Sequence, residues 1–220
     1  MDSTLFQYLE KLKNNNNRDW FKKNKSEFDV LNKQVKFYFQ SVFDHHKTTF
    51  DWDMVKVFRI YRDVRFSKNK DPYKTHFAIS FHRSKPNHRG GFYVHLDPVD
   101  SFIASGFWDP NKDDLFRMRK EIEMDHEYFR KKIGDSKVKK MWGVMKGEKL
   151  KTSPKGFDKE HPANDLLQHK QYIFTKKVDQ KTIFSNDFEP FIVDHFKVLL
   201  PVLNYMGEVL NTNLDGESLL

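Results

Sequence analysis

Residues 77–107 restrict the fold more than any other part of the chain. Phe77-Ala78-Ile79-Ser80-Phe81 alternates, with Phe77, Ile79 and Phe81 on one face and His76, Ala78, Ser80 and His82 on the other. Phe92-Tyr93-Val94-His95-Leu96 repeats the alternation, and 101–107 is a further extended run closed by Gly106. The links between these runs are short. One, 84–91, carries the turn residues Pro86, Asn87, Gly90 and Gly91; the other is Asp97-Pro98-Val99-Asp100. Parallel strands need a crossover of about a dozen residues or more. Short links therefore predict antiparallel neighbours in a meander, with residues 54–62 as the preceding strand and 171–178 as one more strand further on.

Helices flank this sheet. Ser3 is placed to cap a short helix with Leu5, Phe6, Leu9 and Leu12 on one side, and the run of asparagines at 14–17 ends it. Phe28, Leu31, Val35, Phe39 and Val42 recur at three- and four-residue spacing and predict a long helix over about 25–48. Asp109-Pro110 opens another helix that Gly134 stops, residues 137–146 form a short one, and 187–211 form a last one that Pro201 should kink or split. Helix, sheet and helix in that order predict one α+β domain over 1–220, an antiparallel sheet (meander) packed by helices on one face. Its parts are N-terminal helices at 3–50, a sheet at 54–107 and a helical and loop part at 109–213. The core is aromatic. With 22 Phe, 8 Tyr and 4 Trp, each ring burying about 150–250 Å², a sizeable core is available although 32% of residues are charged.

The net charge of +8 favours anionic partners, among them small phosphorylated or carboxylated molecules and nucleic acid. The absence of cysteine excludes disulfides, thiolate metal sites, iron–sulfur clusters and cysteine nucleophiles, and it fits a reducing cytoplasm. The N-terminus lacks a basic head followed by an apolar run, and no apolar stretch approaches the roughly 20 residues that span a bilayer. The expectation is a cytoplasmic protein with no membrane partner.

The segment 55–74 carries the candidate site. Arg59, Arg62 and Arg65 recur every third residue among large apolar side chains, with Asp63 beside them. An unpaired buried charge costs several kcal/mol, so the segment either holds an ion-pair network or presents guanidinium groups to an anion. In the binding arrangement Arg59, Arg62 and Arg65 supply planar forks of donors, Asp63 orients one of them, and Lys70, Tyr73 and Lys74 close over the ligand from the Asp71-Pro72 turn. In the architectural alternative the arginines pair with acids such as Asp53, Asp97 and Asp100 and only hold the sheet. If residues 54–62 stay extended, one arginine must approach the interior side.

His76 and His95 fall side by side on adjacent strands, as acid–base groups for catalysis or as hydrogen-bonded sheet residues. His45 and His46 are adjacent on a helix and so do not share a face. No metal-ligand spacing such as H-E-x-x-H occurs, no P-loop and no G-x-S-x-G elbow, so no metal and no cofactor is expected. Rings interleaved with cations (Phe58, Tyr61, Phe66, Tyr73) suit base stacking, which keeps a nucleic-acid-binding module as the alternative function, next to an interaction protein with structural arginines.

The segment Arg59-Ile60-Tyr61-Arg62-Asp63-Val64-Arg65-Phe66-Ser67-Lys68-Asn69-Lys70-Asp71-Pro72-Tyr73-Lys74 resembles the hallmark of the domain-of-unknown-function family 2461. Asn16-Asn17-Arg18-Asp19-Trp20-Phe21 resembles its N-terminal motif, and Gly106-Phe107-Trp108-Asp109-Pro110 resembles its step into a helix. Pro154-Lys155-Gly156-Phe157, His161-Pro162 and Asp165-Leu166-Leu167 resemble its C-terminal half. The resemblance implies no activity. It singles out Arg59, Arg62, Asp63, Arg65, Lys70 and Tyr73. The polar end of the chain, 213–220, departs from the apolar helix end expected there.

Overall fold

The computed structural model describes residues 1–220. Helices α1 (Thr4–Asn14), α2 (Arg18–Lys23) and α3 (Lys25–Phe50) come first. Strands β1 (Trp52–Val57), β2 (Phe77–Arg83), β3 (Gly91–Leu96) and β4 (Phe102–Phe107) follow. Next come α4 (Lys112–Met124), α5 (His126–Ile133), α6 (Ser136–Trp142) and α7 (Asn164–Leu167), then β5 (Tyr172–Lys177), α8 (Gln180–Ile183) and α9 (Phe188–Leu210). The strands form one five-stranded sheet in the order β1-β2-β3-β4-β5, the meander that the short links require. The class is α+β. No helix is long and apolar enough to cross a membrane.

Several boundaries differ from the sequence pattern for local reasons. β1 stops at Val57 instead of running to 62, and only the N–H of Phe58, bonded to the Ala78 carbonyl at 2.9 Å, continues the pairing. The expected helix over 109–133 is two helices. Asn111 caps the first by accepting the Asp114 N–H, and Asp125 caps the second by accepting the Tyr128 N–H. Ser3 makes no side-chain cap; Asp2 accepts the Thr4 N–H in its place. Pro201 lies inside α9, which is one helix from Phe188 to Leu210.

The chain divides into two compact units, each assembled from three segments. The first comprises residues 1–82, 93–103 and 177–192. Its core is a column of rings: Phe28 stacks on Phe77, Phe39 meets Phe81 edge-on, and Trp52 lies between Phe50 and Phe81 with centroids 4.6 and 4.2 Å away. Helix α3 packs on β1. The second unit comprises 83–92, 104–176 and 193–220. In it Phe196 of α9 packs on Phe92, and the Trp142 indole donates to the His195 carbonyl at 2.8 Å. Arg83 is buried there and donates to the Asn204 side chain at 2.6 Å. The arginine taken into the interior is thus Arg83, where the sequence pattern pointed to Arg59 or Arg62. Gly106 has φ of +136°, and a Cβ on it would stand 2.1 Å from the Tyr172 carbonyl oxygen, so this close strand approach requires glycine.

Candidate functional site

The site lies in the first unit, on the excursion between β1 and β2. Because β1 ends early, residues 58–76 leave the sheet and fold back on themselves. The Arg62 N–H donates to the Pro72 carbonyl at 2.9 Å, the Lys74 N–H donates to the Ile60 carbonyl at 2.7 Å, and Tyr61 and Tyr73 form an antiparallel bridge. The excursion is anchored by the N-terminal motif. Asn16 holds the Tyr73 backbone at both ends, accepting its N–H at 3.2 Å and donating to its carbonyl at 3.0 Å. Asn17 caps α2 through the Trp20 N–H, and α2 places Phe21 flat on the Tyr73 ring with centroids 4.0 Å apart. Two motifs some fifty residues apart in sequence are one structural unit, with Asn16 and Phe21 clamping Tyr73.

The predicted site residues separate into three groups. Tyr73 is buried in that clamp, 5% exposed. Asp63, Arg65 and Lys70 are exposed and are engaged within the excursion: Arg65 grips Asp63 with Nε and Nη2 at 3.0 and 2.6 Å, and Lys70 Nζ donates to the Val64 carbonyl at 3.0 Å. The Arg65 hydrogen bonds hold the Asp63 carboxyl below its ordinary range. Arg59, Arg62, Lys74, His76 and His95 form the third group. Arg59 is exposed and the other four are half-buried. Neither guanidinium has a hydrogen-bond or ion-pair partner, and neither does the Lys74 ammonium, which lies over the Phe58 ring at 5.4 Å. None of the acids proposed as architectural partners bonds to these arginines. Asp100 pairs with Lys177 at 2.8 Å, Asp97 Oδ1 accepts the N–H groups of Val99 and Asp100, and Asp53 is exposed.

The group is electrostatically coupled. Burial lowers the Lys74 pKa, and the positive charge of Arg59 lowers it further. His76 falls to about 4: burial is the main cause, and His95, Lys74 and Arg62 add to it against the opposing pull of Asp97. His95 is lowered by burial against the opposing pull of Asp97 and Asp100. The His76 and His95 rings lie against each other, with centroids 4.2 Å apart and planes tilted by 34°. His95 is held on both sides, by Phe102 stacked at 4.7 Å and by the Tyr93 hydroxyl 3.1 Å from Nδ1. Near neutral pH His76 is uncharged and weakly basic, which suits lone-pair donation better than proton transfer.

Three further features were not legible from spacing. His76, His95 and Asp97 bring one donor atom each within 4.8 Å of the others, although no sequence motif for metal ligands joins them. His45 and His46, expected to point apart, both reach Oε1 of Glu189 at 3.0 Å, because the carboxylate at the start of α9 stands between two side chains that diverge from α3. Ser80 Oγ meets His82 Nε2 at 2.8 Å on the polar side of β2, with no acid bonded to His82 to orient its ring.

The family model described as "Conserved hypothetical protein (DUF2461)" matches residues 4–205. No curated protein and no solved structure matches the chain at a significant level. The chain belongs to the DUF2461 family.

Proposed function

We propose that the protein binds a small phosphate- or carboxylate-bearing anion at Arg59, Arg62 and Lys74, beside the His76–His95 pair. One observation carries the reading: three cations without a hydrogen-bonded or ion-paired partner gather here, Lys74 within electrostatic reach of Arg59 and both Lys74 and Arg62 within reach of His76, at a place where desolvation already weighs on Lys74 and His76. Holding the charge of half-buried Lys74 close to that of Arg59 is unfavourable unless an anion offsets it. Guanidinium forks match carboxylate and phosphate oxygens in geometry as well as charge. Asp63 and Arg65 shape the excursion, Tyr73 supports it from the core, and Lys70 closes its tip. Any chemical step here would fall to His76 or His95. The absence of cysteine fits the reducing cytoplasm, which is part of the same proposal.

The test is thermal unfolding with inorganic pyrophosphate at low salt. A ligand at about 100 times its dissociation constant adds roughly 2.7 kcal/mol, so the wild type should gain several degrees. Arg62→Ala and Lys74→Ala should lose that gain while keeping the ligand-free midpoint. An equal gain in all three proteins would end the reading.

One observation favours a nucleic-acid surface as a second reading. Phe66 is 96% exposed at the tip of the excursion, with the Arg65 guanidinium 6.0 Å from its ring, an arrangement on which a base can stack. Its signature is affinity for single-stranded oligonucleotide that falls steeply with salt and is lost in Phe66→Ala.

A further inference from the structure

We infer that His76, His95 and Asp97 form a binding site for a divalent transition-metal ion of the zinc type. This goes beyond anion binding and does not depend on it.

The three residues come from a small region. His76 immediately precedes β2, His95 is the fifth residue of β3, and Asp97 is the first residue after that strand. All three are half-buried, and their donor atoms lie within 4.8 Å of one another. Each keeps an uncommitted donor. The His76 ring makes no hydrogen bond. His95 engages Tyr93 through Nδ1, which leaves Nε2. Asp97 uses Oδ1 for the turn N–H groups and leaves Oδ2. The surroundings fix the ligands as metal sites require. Phe102 stacks on His95, the Tyr93 hydroxyl sets its ring orientation, and two backbone N–H groups pin the Asp97 carboxylate. Zinc–nitrogen bonds of about 2.0–2.1 Å put tetrahedral ligand atoms roughly 3.3 Å apart. The donor atoms, all within 4.8 Å of one another, would need only a small side-chain adjustment to meet that spacing.

The ligand set selects the ion. Two imidazoles and one carboxylate suit zinc, iron(II) or cobalt(II) and disfavour magnesium and calcium, which prefer all-oxygen shells. Three protein ligands leave a coordination position open, as catalytic sites do. Arg62 and Lys74 act electrostatically on His76, so they oppose a bound cation and attract any anion on its open position. The other histidine cluster is less suited. Glu189 Oε1 already bridges His45 and His46, so a metal there must replace two formed hydrogen bonds.

The test uses untagged full-length protein in a buffer free of phosphate. Cobalt(II) is the probe, with its visible absorption as readout, and zinc competes against a chromophoric chelator. One equivalent should bind, and His76→Ala and His95→Ala should weaken it at least 100-fold. Asp97→Asn keeps an oxygen for the turn N–H groups and removes the charge, so it should weaken binding with the fold unchanged by circular dichroism. Tyr93→Phe should cost about 10-fold as an orienting partner. His46→Ala should bind as the wild type does. Arg62→Ala should bind metal at least as tightly while losing pyrophosphate, so the metal and anion readings fail separately. Absence of a stoichiometric site in the folded wild type, or loss with His46→Ala and retention with His76→Ala and His95→Ala, overturns the inference.

Discussion

Replacing Arg62 by alanine separates a functional arginine from an architectural one. Arg62 is half-buried and has no ion-pair or hydrogen-bond partner, while its charge disfavours the protonated form of His76. Were it half of a buried pair, truncation would strand the other charge and cost about 3–5 kcal/mol. In a protein of this size each kcal/mol moves the midpoint by roughly 2–4 °C, so an architectural Arg62 predicts a fall of about 6–20 °C. The geometry here predicts a change within about 0.5 kcal/mol, as for a substitution that breaks no contact, or a shift of at most about 2 °C. Removing the charge also relieves His76, so its titration should move up from about 4, as histidine proton resonances followed against pH would register. A ligand-free midpoint that drops more than about 6 °C would show that Arg62 is architectural.

Three other perturbations test the structure around the site. His76 titrates at about 4 in the folded protein against an ordinary 6.5, so the unfolded chain binds the extra proton first; its contribution to stability should be full above pH 6.5 and be lost as pH falls from there toward 4, and because His169 adds a similar loss, His76→Gln should reduce the decline in urea midpoints without abolishing it. A decline identical in the variant would assign it to other groups. Gly106→Ala forces a side chain into φ +136° and against the Tyr172 carbonyl, so strain and overpacking together should cost about 2–6 kcal/mol, measured by urea unfolding; a near-neutral result would show that β4 and β5 do not approach this closely. Tyr172 is fully buried, its hydroxyl has no partner and burial raises its pKa, so Tyr172→Phe should stabilise by about 1 kcal/mol; a loss would mean the hydroxyl is bonded.

The sheet was legible because its signal is local. Alternation at 77–81 and 92–96 with a four-residue turn between 96 and 101 leaves few alternatives to an antiparallel meander. The end of β1 was not legible. Phe58, Ile60 and Tyr61 keep strand propensity past the end of β1, and what stops the strand is the pairing of residues 60–62 with 72–74 inside the excursion, a contact between segments that propensity does not encode. The same cause misplaced the interior arginine. A strand running to 62 would have turned Arg59 or Arg62 inward, whereas Ile60 is the buried residue there and Arg83 meets its partners at the far end of β2. The helix break at Asp125 turned on a cap that competes with apolar spacing continuous from Met118 through Phe129.

The site residues were legible as a set but not in their division of labour, and the division follows from what holds the excursion in place. A loop of this length bearing several cations should be mobile, because ordering it costs about 1–2 kcal/mol per residue. Here Asn16 fixes Tyr73 by two hydrogen bonds to its backbone and Phe21 stacks on its ring, so the N-terminal motif anchors the arginine-rich one. With Tyr73 fixed, the Lys74 N–H reaches Ile60 and the Arg62 N–H reaches Pro72, so the backbone on both sides of the candidate cluster is set by the clamp. Arg65 and Lys70 then bind within the excursion and keep its tip folded, while Arg59, Arg62 and Lys74 are left with their donors unspent. Preorganised, unpartnered donors are what tight anion binding requires, since the ordering cost has been met by the fold before the ligand arrives.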